Sequence, residues 1–169
     1  MKRMHPAALL SAVALLGCGG ALSAATGGPC TITLTGARTG TYDCSAARSA
    51  AWQSSGNQTG VGLNVPGDPI ISVSVVFSGE AHTGVFHSTD SGVEGGAAVT
   101  RSNGTEAWEA SVDPQSGSVG SFTLNLTAVS VTTMSTSGKV YTAHGTVDAT
   151  LPASAGSSAT GVVTLHAAF

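Results

Sequence analysis

Between Tyr141 and Leu151, apolar and polar side chains alternate with a period of two. Tyr141, Ala143, Val147, Ala149 and Leu151 fall on one face, and Thr142, His144, Thr146, Asp148 and Thr150 on the other. That period belongs to a strand with one buried face and not to a helix. The alternation recurs at Val163, Leu165, Ala167 and Phe169, at Val73, Val75 and Phe77, and at Ile32 and Leu34. Gly, Ser, Thr, Ala and Val dominate while charged residues make up only 9%, a usage that suits strands and turns. With 41% hydrophobic residues the chain has the means to build a core and is not expected to be disordered.

Turn signals divide the pattern into short pieces. Residues 30–35 and 41–44 form a hairpin around Gly36 to Gly40; centred on Ala37, it sets Cys30 opposite Cys44, where a cross-strand disulfide is geometrically open. Closing that loop is worth about 3 kcal/mol in the chain-entropy account. Residues 45–52 are expected as a short helical turn, and the Gly-, Asn- and Pro-rich stretch 56–69 as a loop. After the strand 70–77, residues 85–87 are expected to continue its sheet, and 88–96 to form a loop. Asn103-Gly104 marks a two-residue hairpin turn that sets Arg101 against Glu106 and Val99 against Trp108. Phe122, Leu124 and Leu126 share a parity that Val129 and Val131 break, so a bulge is expected near Ala128. About eight short strands with turns between them make an antiparallel β-sandwich the expected fold.

The first residues are of a different kind. Lys2 and Arg3 precede an apolar run from Ala7 to Leu16 and then small residues, the three zones of a secretory signal, too short to span a bilayer stably. Leu15-Leu16-Gly17-Cys18 resembles the lipobox of bacterial lipoproteins, with Leu16 departing from the usual small or β-branched choice. The resemblance implies cleavage before Cys18 and acylation of that cysteine. Residues 1–17 are then the signal peptide, 18–29 a Gly/Ala/Ser/Thr tether of about 18 Å root-mean-square reach, and 30–169 one β-sandwich domain. The rival reading is cleavage after Ser23-Ala24-Ala25, which discards Cys18 and leaves a plain secreted domain. Either way Cys30 and Cys44 remain as an even pair in an oxidising compartment. The Tyr141 to Leu151 segment is also similar to strands of bacterial lipoproteins, a likeness that implies no activity.

Removing Lys2 and Arg3 takes the formal charge from −3 to −5, leaving Arg38, Arg48, Arg101 and Lys139 as the basic residues. With no basic stripe, no nucleic-acid partner is expected. The expected partner is a membrane, reached through the N-terminal lipid, with an envelope protein or glycan as a further partner that the sequence does not identify.

Few residues point to chemistry. Glu80, His82 and His87 form the candidate metal set, because imidazole with carboxylate binds zinc-like ions; their spacing matches no metal motif, and polar residues around an exposed turn explain them as well. His144 and Asp148 share a strand face and are the candidates for a hydrolase, but no Gly-x-Ser-x-Gly elbow accompanies them. Asp90 and Glu94 lack the spacing of a calcium loop. Trp52 and Trp108 are the candidates for stacking on a sugar, with core placement the simpler expectation. No cofactor is expected. Val163-x-Leu165-x-Ala167-x-Phe169 resembles the closing strand of outer-membrane barrels, yet the chain has no aromatic girdles to go with it. The reading that results is a non-catalytic envelope protein with a structural, adhesive or partner-binding role. Its alternatives are a metal- or ligand-binding module around His82 and His87, a plain secreted domain, and a small outer-membrane barrel.

Overall fold

The computed structural model describes residues 29–44, 48–54, 57–113, 117–135 and 138–169. It is an all-β, antiparallel sandwich. Twelve strands are present among the described residues, more than the eight expected. One layer runs in the order β2 (Gly40–Asp43), β1 (Thr31–Gly36), β12 (Val162–Ala168), β11 (Gly138–Pro152), β10 (Ser121–Ser135) and β6 (Gly84–His87). The other begins where the first residues of β11 pair with β3 (Arg48–Ser54) and continues through β4 (Gln58–Val65), β5 (Ile70–Ser78), β7 (Val93–Thr100), β8 (Ala107–Asp113) and β9 (Gly117–Val119). The β10/β11 hairpin, fifteen residues in each arm, therefore takes part in both layers. Its register shifts between Leu126 and Ala128 and again between Val131 and Thr133. Bulges increase local twist, which lets one hairpin turn from one layer into the next.

The alternating residues meet in one core. Ile32, Leu34, Ile71, Val75, Val99, Leu124, Val147, Leu151, Val163 and Leu165 are all fully or almost fully buried, each from an inward-facing strand position. Cys30 and Cys44 are disulfide-bonded, and the register Thr31↔Asp43, Ile32↔Tyr42 centres their hairpin on Ala37 as expected. Trp108 is buried opposite Val99. The expected bulge lies at Thr127, where Leu126 pairs with Gly145 and Ala128 with His144. Val131, however, is 53% exposed, because β10 there forms the margin of the sheet and no strand covers it among the described residues.

Five local expectations are corrected. Residues 48–54 form strand β3 and not a helical turn, and Ser45, Ala46 and Ala47 lie outside the described residues. Within the expected loop 56–69, Gln58–Val65 form β4, with Val61, Leu63 and Val65 buried; continuous pairing with β5 overrides the low strand propensity of Gly60, Gly62 and Asn64. Residues 93–96 belong to β7, and β6 pairs with β10 instead of continuing the sheet of β5. The 101–106 turn keeps the expected register, but its closing bond runs from Gly104 N to Arg101 O, with Gly104 at φ +70°. It is thus a longer loop built on a type I turn, and Gly104 supplies the left-handed residue it needs.

Candidate functional site

The outward positions of the first layer line up in rows. The registers place Thr41, Thr33, His166, Asp148, Thr123 and His87 side by side across its six strands, on the face opposite the core. Strand spacing makes each step about 4.8 Å. At the centre Asp148 accepts a 2.6 Å hydrogen bond from His166 Nδ1, which leaves the imidazole Nε2 on the open side. His87 Nδ1 shares a 3.2 Å hydrogen bond with Thr123 Oγ1, and its backbone N–H donates to Asp90 Oδ2 at 2.7 Å. Thr31, Thr35, Thr164, Thr146, Thr150, Ser121 and Asn125 occupy the flanking rows. These rows are rich in hydroxyls, and among the described residues that form them none is Lys or Arg. His166 and Asp148 are both about half exposed there, with side-chain accessibilities of 52% and 60%.

A second group of polar residues closes one end of the sandwich. The turn after β1 carries Arg38, which donates to Glu106 Oε2 at 2.7 Å and lies 5.6 Å from the Trp108 ring centroid, within cation–π reach. Arg101 sits 3.7 Å from the same carboxylate and donates to Asp68 Oδ2 at 3.3 Å. The Ser102 backbone N–H, opposed in part by desolvation and helped by the Arg101 charge, holds the Asp68 carboxyl below its ordinary pKa. The 153–161 loop is tied in through Ser158 N and Oγ, both bonded to Thr105 O, and through Trp108 Nε1, which donates to Thr160 O. Four connections, after β1, β4, β7 and β11, are thereby joined into one end surface.

The opposite end holds the disulfide. Cys44 N donates to Cys30 O, and Phe169 pairs through its backbone with Gly145. A Cβ on Gly145 would run into the Asn125 carbonyl, so the close approach at the bulge requires glycine. Beside it is a shallow hollow of about 320 Å³ lined by Pro29, Thr127, His144, Thr146 and Phe169.

The sequence-derived candidates separate in space. Cys18 lies outside the described residues. Glu80 accepts a 2.6 Å hydrogen bond from Lys139, which raises the lysine pKa, and His82 Nδ1 bonds the Glu80 carbonyl while its ring packs edge-on against Phe77 and Phe86. His87 is engaged with Thr123. Among the described residues no three His, Cys, Asp or Glu side chains are grouped to hold a metal ion. His144 and Asp148 share a face, but the partner of Asp148 is His166, and His144 borders the hollow. The sequence reading missed His166, although the inward parity of Val163, Leu165 and Ala167 turns it outward, as His144 and Asp148 are turned on β11. Trp52 lies in β3, and its side chain is not among those described.

No family model matches this chain, and searches against curated proteins and against solved structures return no match.

Proposed function

We propose that this chain is an exported, lipid-anchored envelope protein with a non-catalytic, partner-binding role, held to the membrane through Cys18 and presenting the Arg38–Glu106–Arg101–Asp68 end to its partner. The observation that supports the reading is that Cys30, which follows the expected tether, and the Arg38 turn lie at opposite ends of β1. Cys30, where the tether joins the domain, precedes Thr31, and the Arg38 turn follows Gly36. Six extended residues separate the ends by about 20 Å. A domain tethered at one end turns the loops of the other end away from the bilayer.

The disulfide supports export, because such bonds persist in oxidising compartments. It also fastens β1 to β2 at the point where a pull on the anchor enters the fold. The Asp148–His166 pair lies on an open sheet face and not in a cleft, an arrangement that favours contact with a surface over enclosure of a substrate.

The test is the intact mass of the protein isolated from the membrane fraction of its host, with and without reduction. A mass beginning at Cys18 with added acyl chains, rising by two protons on reduction, is the expected result. A mass beginning near Thr26 without lipid would sink the anchor and leave a secreted domain.

A further inference from the structure

The two ends of the sandwich differ in chemistry. Arg38, Asp68, Arg101 and Glu106 gather at one of them. At the other, the walls of the hollow are Pro29, Thr127, His144, Thr146, Ala168 and Phe169, with no Asp, Glu, Lys or Arg among them. Thr127 Oγ1 donates to the His144 carbonyl, which leaves rings and methyl groups as most of the lining. Uncharged surface continues along the strand row that crosses this end. Thr31, Ala168, Thr146, Asn125 and Val85 stand side by side on β1, β12, β11, β10 and β6, and Val85 is 53% exposed. The row meets a charge only at Asp43, three strands from Thr146. The hollow is also where the chain enters the domain. Pro29, the first described residue, is one of its walls, and ten residues separate it from Cys18. A tether of that length reaches about 18 Å on average and at most about 40 Å, so acyl groups on Cys18 keep the hollow within that distance of the bilayer.

We propose that this end of the sandwich is a membrane-contact surface, resting on the anchor at Cys18, and that it lays the hollow and the Val85 row against the bilayer that holds the acyl groups. An uncharged, largely apolar patch enters the headgroup boundary without stripping water from an ion. The charged end has no such freedom. The patch is too small to recruit a free domain, but a short tether makes the contact intramolecular and raises its effective concentration, so a weak contact is populated. Docked in this way the domain keeps one orientation, with the Arg38 end held away from the membrane.

The test uses the full chain isolated from its host, with its acyl groups checked by intact mass. It is placed in vesicles of phosphatidylcholine and phosphatidylglycerol that carry a nitroxide at the headgroup. One fluorophore is attached at Ala168→Cys beside the hollow, or at Asn103→Cys on the tip of the β7/β8 hairpin. Quenching at Ala168→Cys should exceed that at Asn103→Cys by about threefold or more, because the two ends lie about 20 Å apart. Adding Thr146→Glu to Ala168→Cys should bring its quenching down to that of the tip, with an unchanged thermal midpoint and the chain still on the vesicles, because a charge opposes entry into the interface. Equal quenching at both ends, or a Thr146→Glu chain quenched as before, would overturn the contact and leave the anchor standing. A chain with no acyl group on Cys18 would remove both.

Discussion

Arg38 and Glu106 are sixty-eight residues apart in the chain and 2.7 Å apart in the fold. Glu106 also sits 3.7 Å from Arg101, so one carboxylate holds the turn after β1 against the tip of the β7/β8 hairpin. Each partner keeps about a third of its side chain in solvent, where screening limits what the contact contributes. Glu106→Ala should cost about 1 kcal/mol in urea unfolding, within the range of partly exposed ion pairs. Combined with Arg38→Ala, the two losses should sum to less than their separate values; strict additivity would show that the bond contributes nothing.

Asp68 links the same end of the molecule to acid. The Ser102 backbone N–H and the Arg101 charge favour its ionised form, so its folded pKa lies below the unfolded value of 3.8. Stability from this group is present above that value and is lost as pH falls through the folded pKa. Thermal midpoints followed from pH 6 to pH 2 should fall less steeply in Asp68→Asn than in the unsubstituted protein. Parallel curves for the two proteins would contradict the assignment.

The disulfide closes a fourteen-residue separation between the first described strands. Replacing Cys30 and Cys44 together with Ser should lower the unfolding free energy by about 3 kcal/mol, because the unfolded chain regains the freedom that the cross-link removed. Reductant added to the unsubstituted protein should reproduce the shift, and a midpoint indifferent to reductant would show that the bond does not contribute.

At the bulge, Gly145→Ala drives a methyl group toward the Asn125 carbonyl. The strand has backbone neighbours on both sides, Leu126 across β10 and Phe169 beyond β12, so it cannot move aside freely. A loss of about 1–3 kcal/mol is expected from overpacking, read by denaturant titration. Thr146→Ala, one residue on and half exposed, should change stability by less than about 0.5 kcal/mol and serves as the control.

Strands with strict alternation were legible from the residues alone. β11, β12 and β1 have the faces expected of them, as do the Cys30–Cys44 hairpin and the Val99↔Trp108 pairing. β4 was hidden because Gly60, Gly62 and Asn64 have poor strand propensity, and its membership is decided by eight consecutive pairings with β5. The two polar groups were harder to read. Arg101 and Glu106 are neighbours across a hairpin, but Arg38 and Asp68 join them only when four connections meet at one end.

The period-two alternation, read without any fold, determined that this chain is all-β and which side of each long strand is buried, because side-chain direction in a strand depends only on local backbone geometry. It also determined the disulfide partners, since a single hairpin register brings them together. Which strands become neighbours depends on contacts between residues far apart in the chain, and no local rule contains them. The tertiary structure alone therefore gave Asp148 to His166 instead of His144, set the Cys30–Cys44 disulfide and the charged loops at opposite ends of β1, and turned the fifteen-residue arms of the β10/β11 hairpin from one layer into the other.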